Sequence, residues 1–197
     1  AWPLPETFEW KATPRFDKKG FHIHSQHPLE LTEPLLDDKF PGGMDQIKEY
    51  INWLARNGQN YFEFNLLESI NLKTWPAYSK QITDYCHQRG IIAGVDVSLH
   101  MLQQKAFQFY RNFPASWRSK EKQMSIRLAK LYEADWDVLN VEFSSTEFSS
   151  GNVKKKKKLQ LHLGKELKEK YNSKLMGRKH VVQENAELGG NKKKKDY

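Results

Sequence analysis

Five stretches of the chain alternate apolar and polar residues with the two-residue period of a β-strand: residues 21–27, 60–65, 91–98, 137–144 and 175–182. Successive side chains on a strand point to opposite faces, so each stretch predicts a strand with two unlike faces. His22, His24 and Gln26 share a face of the first, and Tyr61, Glu63 and Asn65 share one of the second. Gly94, Asp96 and Ser98 follow in the third, Asn140, Glu142 and Ser144 in the fourth, Arg178 and His180 in the fifth. The other phase is apolar: Phe21 and Ile23, Phe62 and Phe64, Val95 and Val97, Leu139 and Val141.

Between these stretches the period changes to that of a helix. Met44, Ile47, Ile51 and Leu54 mark one, and Gly58 supplies its stop. A second is expected over 78–89, ending at Gly90, and a third over 120–132 with Met124, Leu128 and Leu131 on one face. Leu159, Leu163 and Leu167 mark a fourth. Residues 1–19 read as an extended lead-in, because Pro3, Pro5 and Pro14 block regular structure. Pro28, Pro34, Pro41, Gly42 and Gly43 make a loop after strand one, and 101–118 is an irregular, aromatic loop with a helical turn.

Strand starts near 20, 60, 91, 137 and 175 lie 40, 31, 46 and 38 residues apart. That rhythm predicts βα units joined by right-handed crossovers, hence a parallel sheet. A doubly wound sheet often carries a glycine-rich phosphate loop after its first strand; here the chain reads Ser25-Gln26-His27-Pro28. The polar phases favour the other α/β architecture, a TIM-type (β/α) barrel with apolar phases toward the helices and polar phases inside. Eight such units usually need about 250 residues. Five occupy residues 20–182 here, so the expectation is a partial barrel, with 183–197 a lysine-rich, disordered tail.

Composition changes this picture little. Aromatic residues make up 13% of 197, far too many for a disordered chain. The net charge of +8 invites a nucleic-acid reading, but nine lysines stand in two runs, 154–158 and 192–195, and the rest is near neutral. The runs read as solvated loop or tail, not as a specific nucleic-acid face. Cys86, the single cysteine, excludes an internal disulfide and falls on the apolar face of a helix, which predicts a packed thiol. No apolar run reaches the ~20 residues that span a bilayer. The Ala1-Trp2-Pro3 start fits the terminus of a processed chain, secreted or periplasmic, although one unpaired cysteine suits the cytoplasm equally.

In a barrel the chemistry sits at the C-terminal ends of the strands and in the loops after them. Glu142 should point inward near the rim of strand four, with Glu147 on the following loop. Cleaving a glycosidic bond needs a proton donor to the leaving oxygen and a second group that attacks or activates water, and these two carboxylates are the catalytic candidates. His24, His27, Glu63, Asn65, Asp96, His100, Asn140, Arg178 and His180 are candidate hydroxyl ligands, with Ser98 beside them. Trp75, with Tyr110 and Trp117, offers rings on which a sugar face can stack. An alternative chemistry uses His22 and His24, two imidazoles on one strand face, as ligands of a divalent metal, completed by Glu142 and His180. No cofactor is expected on the leading reading.

Pro14-Arg15-Phe16 leading to Gly20 begins a familiar order of motifs. Ile47-Lys48-Glu49-Tyr50-Ile51-Asn52-Trp53-Leu54-Ala55-Arg56-Asn57-Gly58-Gln59-Asn60-Tyr61-Phe62-Glu63-Phe64 continues it. So does Ile82-Thr83-Asp84-Tyr85-Cys86-His87-Gln88-Arg89-Gly90-Ile91. Together they resemble the opening of hexosaminidase-like glycoside hydrolase barrels, over residues 14–100 and more loosely 135–148. The resemblance implies a barrel that cleaves glycosidic bonds of an oligo- or polysaccharide. Hexosaminidases place adjacent Asp and Glu at the end of strand four, whereas Val141 separates Asn140 from Glu142 here. Their strand-one arginine is replaced by His24, Gln26 and His27. The departures point to a divergent family acting on other sugars; the alternative is a carbohydrate-binding barrel that lacks turnover because its site is incomplete.

Overall fold

A computed structural model of the chain describes residues 13, 15–25, 30–99, 105–112, 114, 116–142 and 153–178. Five strands, β1 (Gly20–Ile23), β2 (Tyr61–Asn65), β3 (Ile92–Ser98), β4 (Val138–Glu142) and β5 (Lys174–Arg178), form one parallel sheet in the order β1-β2-β3-β4-β5. Five α-helices run between them: α1 (Thr32–Leu36), α2 (Gly43–Arg56), α3 (Trp75–Gln88), α4 (Lys120–Leu131) and α5 (Val153–Glu166). A doubly wound sheet would reverse direction part-way. Here each new strand is added on the same side, so same-handed crossovers put the helices on one face. The order is that of successive units in the wall of a (β/α) barrel.

The apolar phases behave as expected. Phe62, Phe64, Val95, Val97, Leu139 and Val141 join one hydrophobic core with Ile47, Ile51 and Leu54 of α2, Ile82 and Cys86 of α3, Met124, Leu128 and Leu131 of α4, and Leu159 and Leu163 of α5. Gly58 and Gly90 end α2 and α3 at φ of 65° and 68°, the left-handed region in which a side chain is disfavoured. Cys86 is fully buried, and burial with the nearby Asp137 charge pushes its thiol up to about 12, so it packs as a small hydrophobe.

The boundaries differ from expectation in ways that have local causes. β1 stops at Ile23, because Ser25 turns the chain and its hydroxyl donates to the Asn65 carbonyl. α1 lies in the expected Pro/Gly loop, a single turn that buries Pro34, Leu35 and Leu36. α3 begins three residues before its expected start, since Pro76 sits in the first turn, where its missing N–H is harmless. The lysines at 154–158, expected as loop, lie in α5. Lysine is a good helix former, the next turns bury Leu159, Leu163 and Leu167, and Lys158 Nζ meets Glu121 Oε1 at 3.0 Å. A π turn, Leu167–Tyr171, then closes into β5. No helix among the described residues is long and apolar enough to cross a membrane.

Candidate functional site

Strand register stacks the polar phases into three layers on the face away from the helices. His22, Glu63 and Gly94 are level in the lowest, and Asn65, Asp96 and Asn140 in the middle. Ser98, Glu142 and Arg178 are level in the top layer, at the C-terminal ends of β3, β4 and β5. Glu63, Asn65, Asp96, Ser98, Asn140 and Glu142 are all buried. Charged and amide groups at that depth are held only when they satisfy one another.

A continuous network does so. His22 Nδ1 donates to Glu63 Oε1 at 2.6 Å, and Nε2 lies 2.8 Å from Asn65 Oδ1. Asn65 Nδ2 donates to Asp96 Oδ2 at 2.7 Å. That contact fixes the amide, because its oxygen facing a carboxylate would set two acceptors together. Asn65 therefore turns its oxygen to His22, and both ring nitrogens donate, the state of an imidazolium. Burial alone would lower the His22 pKa, but the hydrogen bonds to Glu63 and Asn65 and the charges of Glu63 and Asp96 outweigh it and raise it above 6.5.

Glu63 is the hub. Besides His22 it accepts from the Tyr61 hydroxyl and from Asn140 Nδ2 at 3.2 Å. Burial pushes its carboxyl up, yet these three donors and the imidazolium charge hold it below its ordinary value. Burial, together with the same carboxylate, drives the Tyr61 hydroxyl well above the usual phenol range. Gly94 makes room for this contact: a Cβ there would stand 2.8 Å from the Tyr61 hydroxyl and 3.4 Å from Glu63 Oε2.

Above the wall, a segment after β3 is strapped across neighbouring units. Ala106 bridges to Leu67 and Gln108 to Ser98. Glu68 accepts from the Gln108 amide at 2.8 Å, from Arg127 at 3.0 Å and from Arg111 at 3.1 Å. The Arg127 guanidinium also lies 4.1 Å over the Phe107 ring. This strut ties the loops after β2 and β3 to α4. A separate cleft of about 460 Å³ lies beyond β1 and β2, lined by Glu33, Asp37, Asp38, Ser69 and Asn71 among others.

Of the residues expected to act, Glu63, Asn65, Asp96 and Asn140 come together in the network, and Glu142 stands one layer above. His24 follows β1, half-buried, its ring edge-on to His22 with centroids 6.0 Å apart. His27, His100, Glu147 and His180 lie outside the described residues, as does the Arg178 side chain, whose backbone pairs with Glu142. Trp75 is corrected: it opens α3 fully buried, its indole donates to the Leu35 carbonyl at 2.9 Å, and it stacks on Trp136. A ring with no free face cannot hold a sugar. Tyr110 is buried under Lys120, while Trp117 is 84% exposed. Tyr61 was not among the expected site residues, although it shares the polar phase of Glu63 and lies two residues from it.

The metal alternative changes shape. His22, Glu63 and Asp96, rather than His22 and His24, form the group whose ligating atoms lie within 4.8 Å of one another among the described residues. Both His22 nitrogens are engaged as donors, so a cation taking either one would have to displace a short hydrogen bond and its proton. As arranged, the three residues fit each other better than they fit a metal.

No protein-family model matches the chain, and no curated protein matches it. Among solved structures its fold is similar to a β-arabinopyranosidase, with TM-score 0.47 and 13% identity over 85% of this chain and 24% of that one. It is similar to a GH20 exo-β-N-acetylglucosaminidase from Vibrio harveyi in complex with N-acetylglucosamine, with TM-score 0.49 and 14% identity over 84% and 36%. A mutant O-GlcNAc hydrolase from Thermobaculum terrenum gives 0.46 and 11% over 83% and 34%. The chain thus spans between a quarter and just over a third of these proteins' length. All three fall below a TM-score of 0.5, so none carries a residue's role over to this chain.

Proposed function

We propose that this chain forms part of a (β/α) barrel that cleaves glycosidic bonds, with Glu142 as the general acid. The observation that supports it is the placement of Glu142, a buried carboxylate at the C-terminal end of β4, one layer above the hydrogen-bonded group of His22, Glu63, Asn65, Asp96 and Asn140. Such a group is rigid. It holds the acid's strand in register while leaving the layer at the rim for substrate. Protonating a leaving oxygen needs a carboxyl positioned beside it, and the end of β4 sets Glu142 at the rim where the loops begin. Glu147, five residues further on, is proposed as the second carboxylate. His24, His27, His100, Arg178 and His180, each at or after the end of a strand in the sequence, are proposed to complete the sugar contacts.

Glu142→Gln keeps the shape and removes the proton donor. Turnover of aryl glycosides by the purified protein should fall by at least about a hundredfold, the usual size of a general-acid contribution, with an unchanged far-UV spectrum. Wild-type rates in the folded variant would remove Glu142 from the mechanism.

A further inference from the structure

Trp117 is the most exposed of the large apolar side chains among the described residues, at 84%. It stands just before α4 in the segment that leaves β3 at Ser98, the residue level with Glu142. Since α4 runs back to the start of β4, its N-terminus and Trp117 lie toward the C-terminal end of the sheet. An indole held in water costs free energy, because it is the largest apolar side chain. Here its surroundings hold it there. Gln123 of α4 accepts from the Arg111 amide at 2.9 Å, and its Nε2 donates to the carbonyls of Arg111 at 3.1 Å and Arg118 at 2.9 Å. The Ser119 hydroxyl caps α4 by accepting from the Lys122 amide at 3.2 Å. Trp117 is thus fixed between a clipped loop base and a capped helix.

The charge around the ring is one-sided. The Arg118 guanidinium lies 5.3 Å from the indole centroid, and Lys122 follows in the first turn of α4. Residues 111–124 include Arg111, Arg118, Lys120 and Lys122 but a single carboxylate, Glu121. Glu121 meets Lys158, and Arg111 meets Glu68. Arg118 and Lys122 form no ion pair among the described residues. A ligand suited to this place brings an apolar face to the indole and a planar anion to the guanidinium. A sugar acid brings both: its ring C–H groups cover the indole, and its carboxylate accepts the paired guanidinium N–H groups. A nucleic-acid strand would need a succession of rings and cations, whereas Trp117 is one ring with two unpaired cations near it in the chain. A protein partner would need about 800 Å² on each side, more than one indole among charged neighbours offers.

We infer that Trp117 and Arg118 form a binding platform for an acidic sugar, a uronate unit of a glycan. That the ligand is a sugar rests on the glycosidase reading; that it is anionic rests on the platform itself. Binding is measured on Glu142→Gln, so that turnover does not enter, by NMR titration that follows the Trp117 indole signal. Trisaccharides of galacturonate and of glucuronate are compared with their methyl esters, which keep the rings and lose the charge, and with a twelve-nucleotide thymidine strand. At least one acid should shift the signal to saturation, and its ester should bind at least about threefold more weakly. Trp117→Ala should weaken binding of the acid about tenfold. Arg118→Gln should weaken it about three- to tenfold and leave binding of the ester unchanged. Both side chains are exposed, so neither substitution should move the melting temperature. The inference is overturned if neither acid binds, if the ester binds as well as the acid, if binding ignores both substitutions, or if the thymidine strand binds Trp117 more tightly than either acid. Hydrolysis of glycosides by wild-type protein, with acid binding indifferent to both substitutions, would sink the platform and keep the glycosidase. Acid binding that needs both residues, with no hydrolysis of any glycoside, would do the reverse.

Discussion

His22 shows how one residue sets the charge state of the whole wall. It carries a proton because two neighbours demand donors, and its positive charge lets Glu63 and Asp96 lie buried within one cluster. Its raised pKa means that the folded state holds the proton more tightly than the unfolded chain. The stability it contributes is full below about 6.5 and is lost as the pH rises through the folded value. Glu63 has the opposite sign: its lowered pKa contributes stability above about 4.5 that is lost as the pH falls through the folded value. The network is therefore most stabilising between these limits. Urea midpoints measured from pH 4 to 9 should decline above 6.5 in the wild-type protein. His22→Gln should flatten that alkaline decline, and parallel profiles for the two proteins would show that His22 is not the titrating group.

At the scale of single elements, two features can be separated by substitution. β3 needs Gly94 because the Tyr61–Glu63 contact crosses it, so Gly94→Ala forces a methyl group into the network. A loss of about 1–3 kcal/mol is expected, as for other overpacked interiors, and chemical denaturation measures it. An unchanged midpoint would mean that Tyr61 can swing away without loss. The strut is the second feature. Glu68→Ala leaves Arg127 half-buried without its carboxylate, at a cost of about 2 kcal/mol once its partial exposure is allowed for. Lys130→Ala, which breaks an exposed pair with Glu133, should cost no more than about 0.5 kcal/mol. Limited proteolysis should cut Glu68→Ala first near residues 105–112; an intact loop would show that the bridges to Leu67 and Ser98 suffice alone.

These elements also mark where the sequence was readable. Alternation revealed the strands and their two faces, because Phe62, Phe64, Val95 and Val97 must meet helices while Glu63 and Asp96 cannot. It could not reveal that His22 meets Glu63, since that depends on the register between β1 and β2 and not on either strand. Trp75, expected as a ring for sugar stacking, instead opens α3. Pro76 after it suits the first turn of a helix, and that turn packs the indole into the core. The lysines at 154–158 looked solvated because charge density was weighed without the leucine stripe that follows. Ser98 and Asn140 were visible as polar residues, but that Ser98 Oγ and Asn140 Oδ1 are left unpaired appears only when every neighbouring donor and acceptor is placed.

Across the molecule, one core joins α1 to the π turn, so no part of the described sheet has an independent interior. Its coverage is nevertheless uneven. β2, β3 and β4 each pair on both sides, whereas among the described residues β1 and β5 pair on one. Phe21 and Trp53 at one end, and Leu161 and Met176 at the other, are 40% exposed or more. Local opening draws on the units with least burial. Tryptophan fluorescence and far-UV circular dichroism should therefore report one coincident unfolding transition, while native-state hydrogen exchange should release the amides of β5 and α5 at lower free energy than those of β3. Leu163→Ala, which truncates a fully buried side chain of α5, should widen the difference, since such truncations cost about 2–5 kcal/mol. Equal protection of β3 and β5 would refute the gradient. The gradient bears on chemistry through a single pairing: β5 holds the strand that carries Glu142, with Arg178 level with it. A chain in which β5 opens easily loosens the strand of its proposed acid. Leu163→Ala should therefore lower glycoside turnover by more than the fall in folded protein. Turnover that simply follows the folded fraction would show that β5 does not position Glu142.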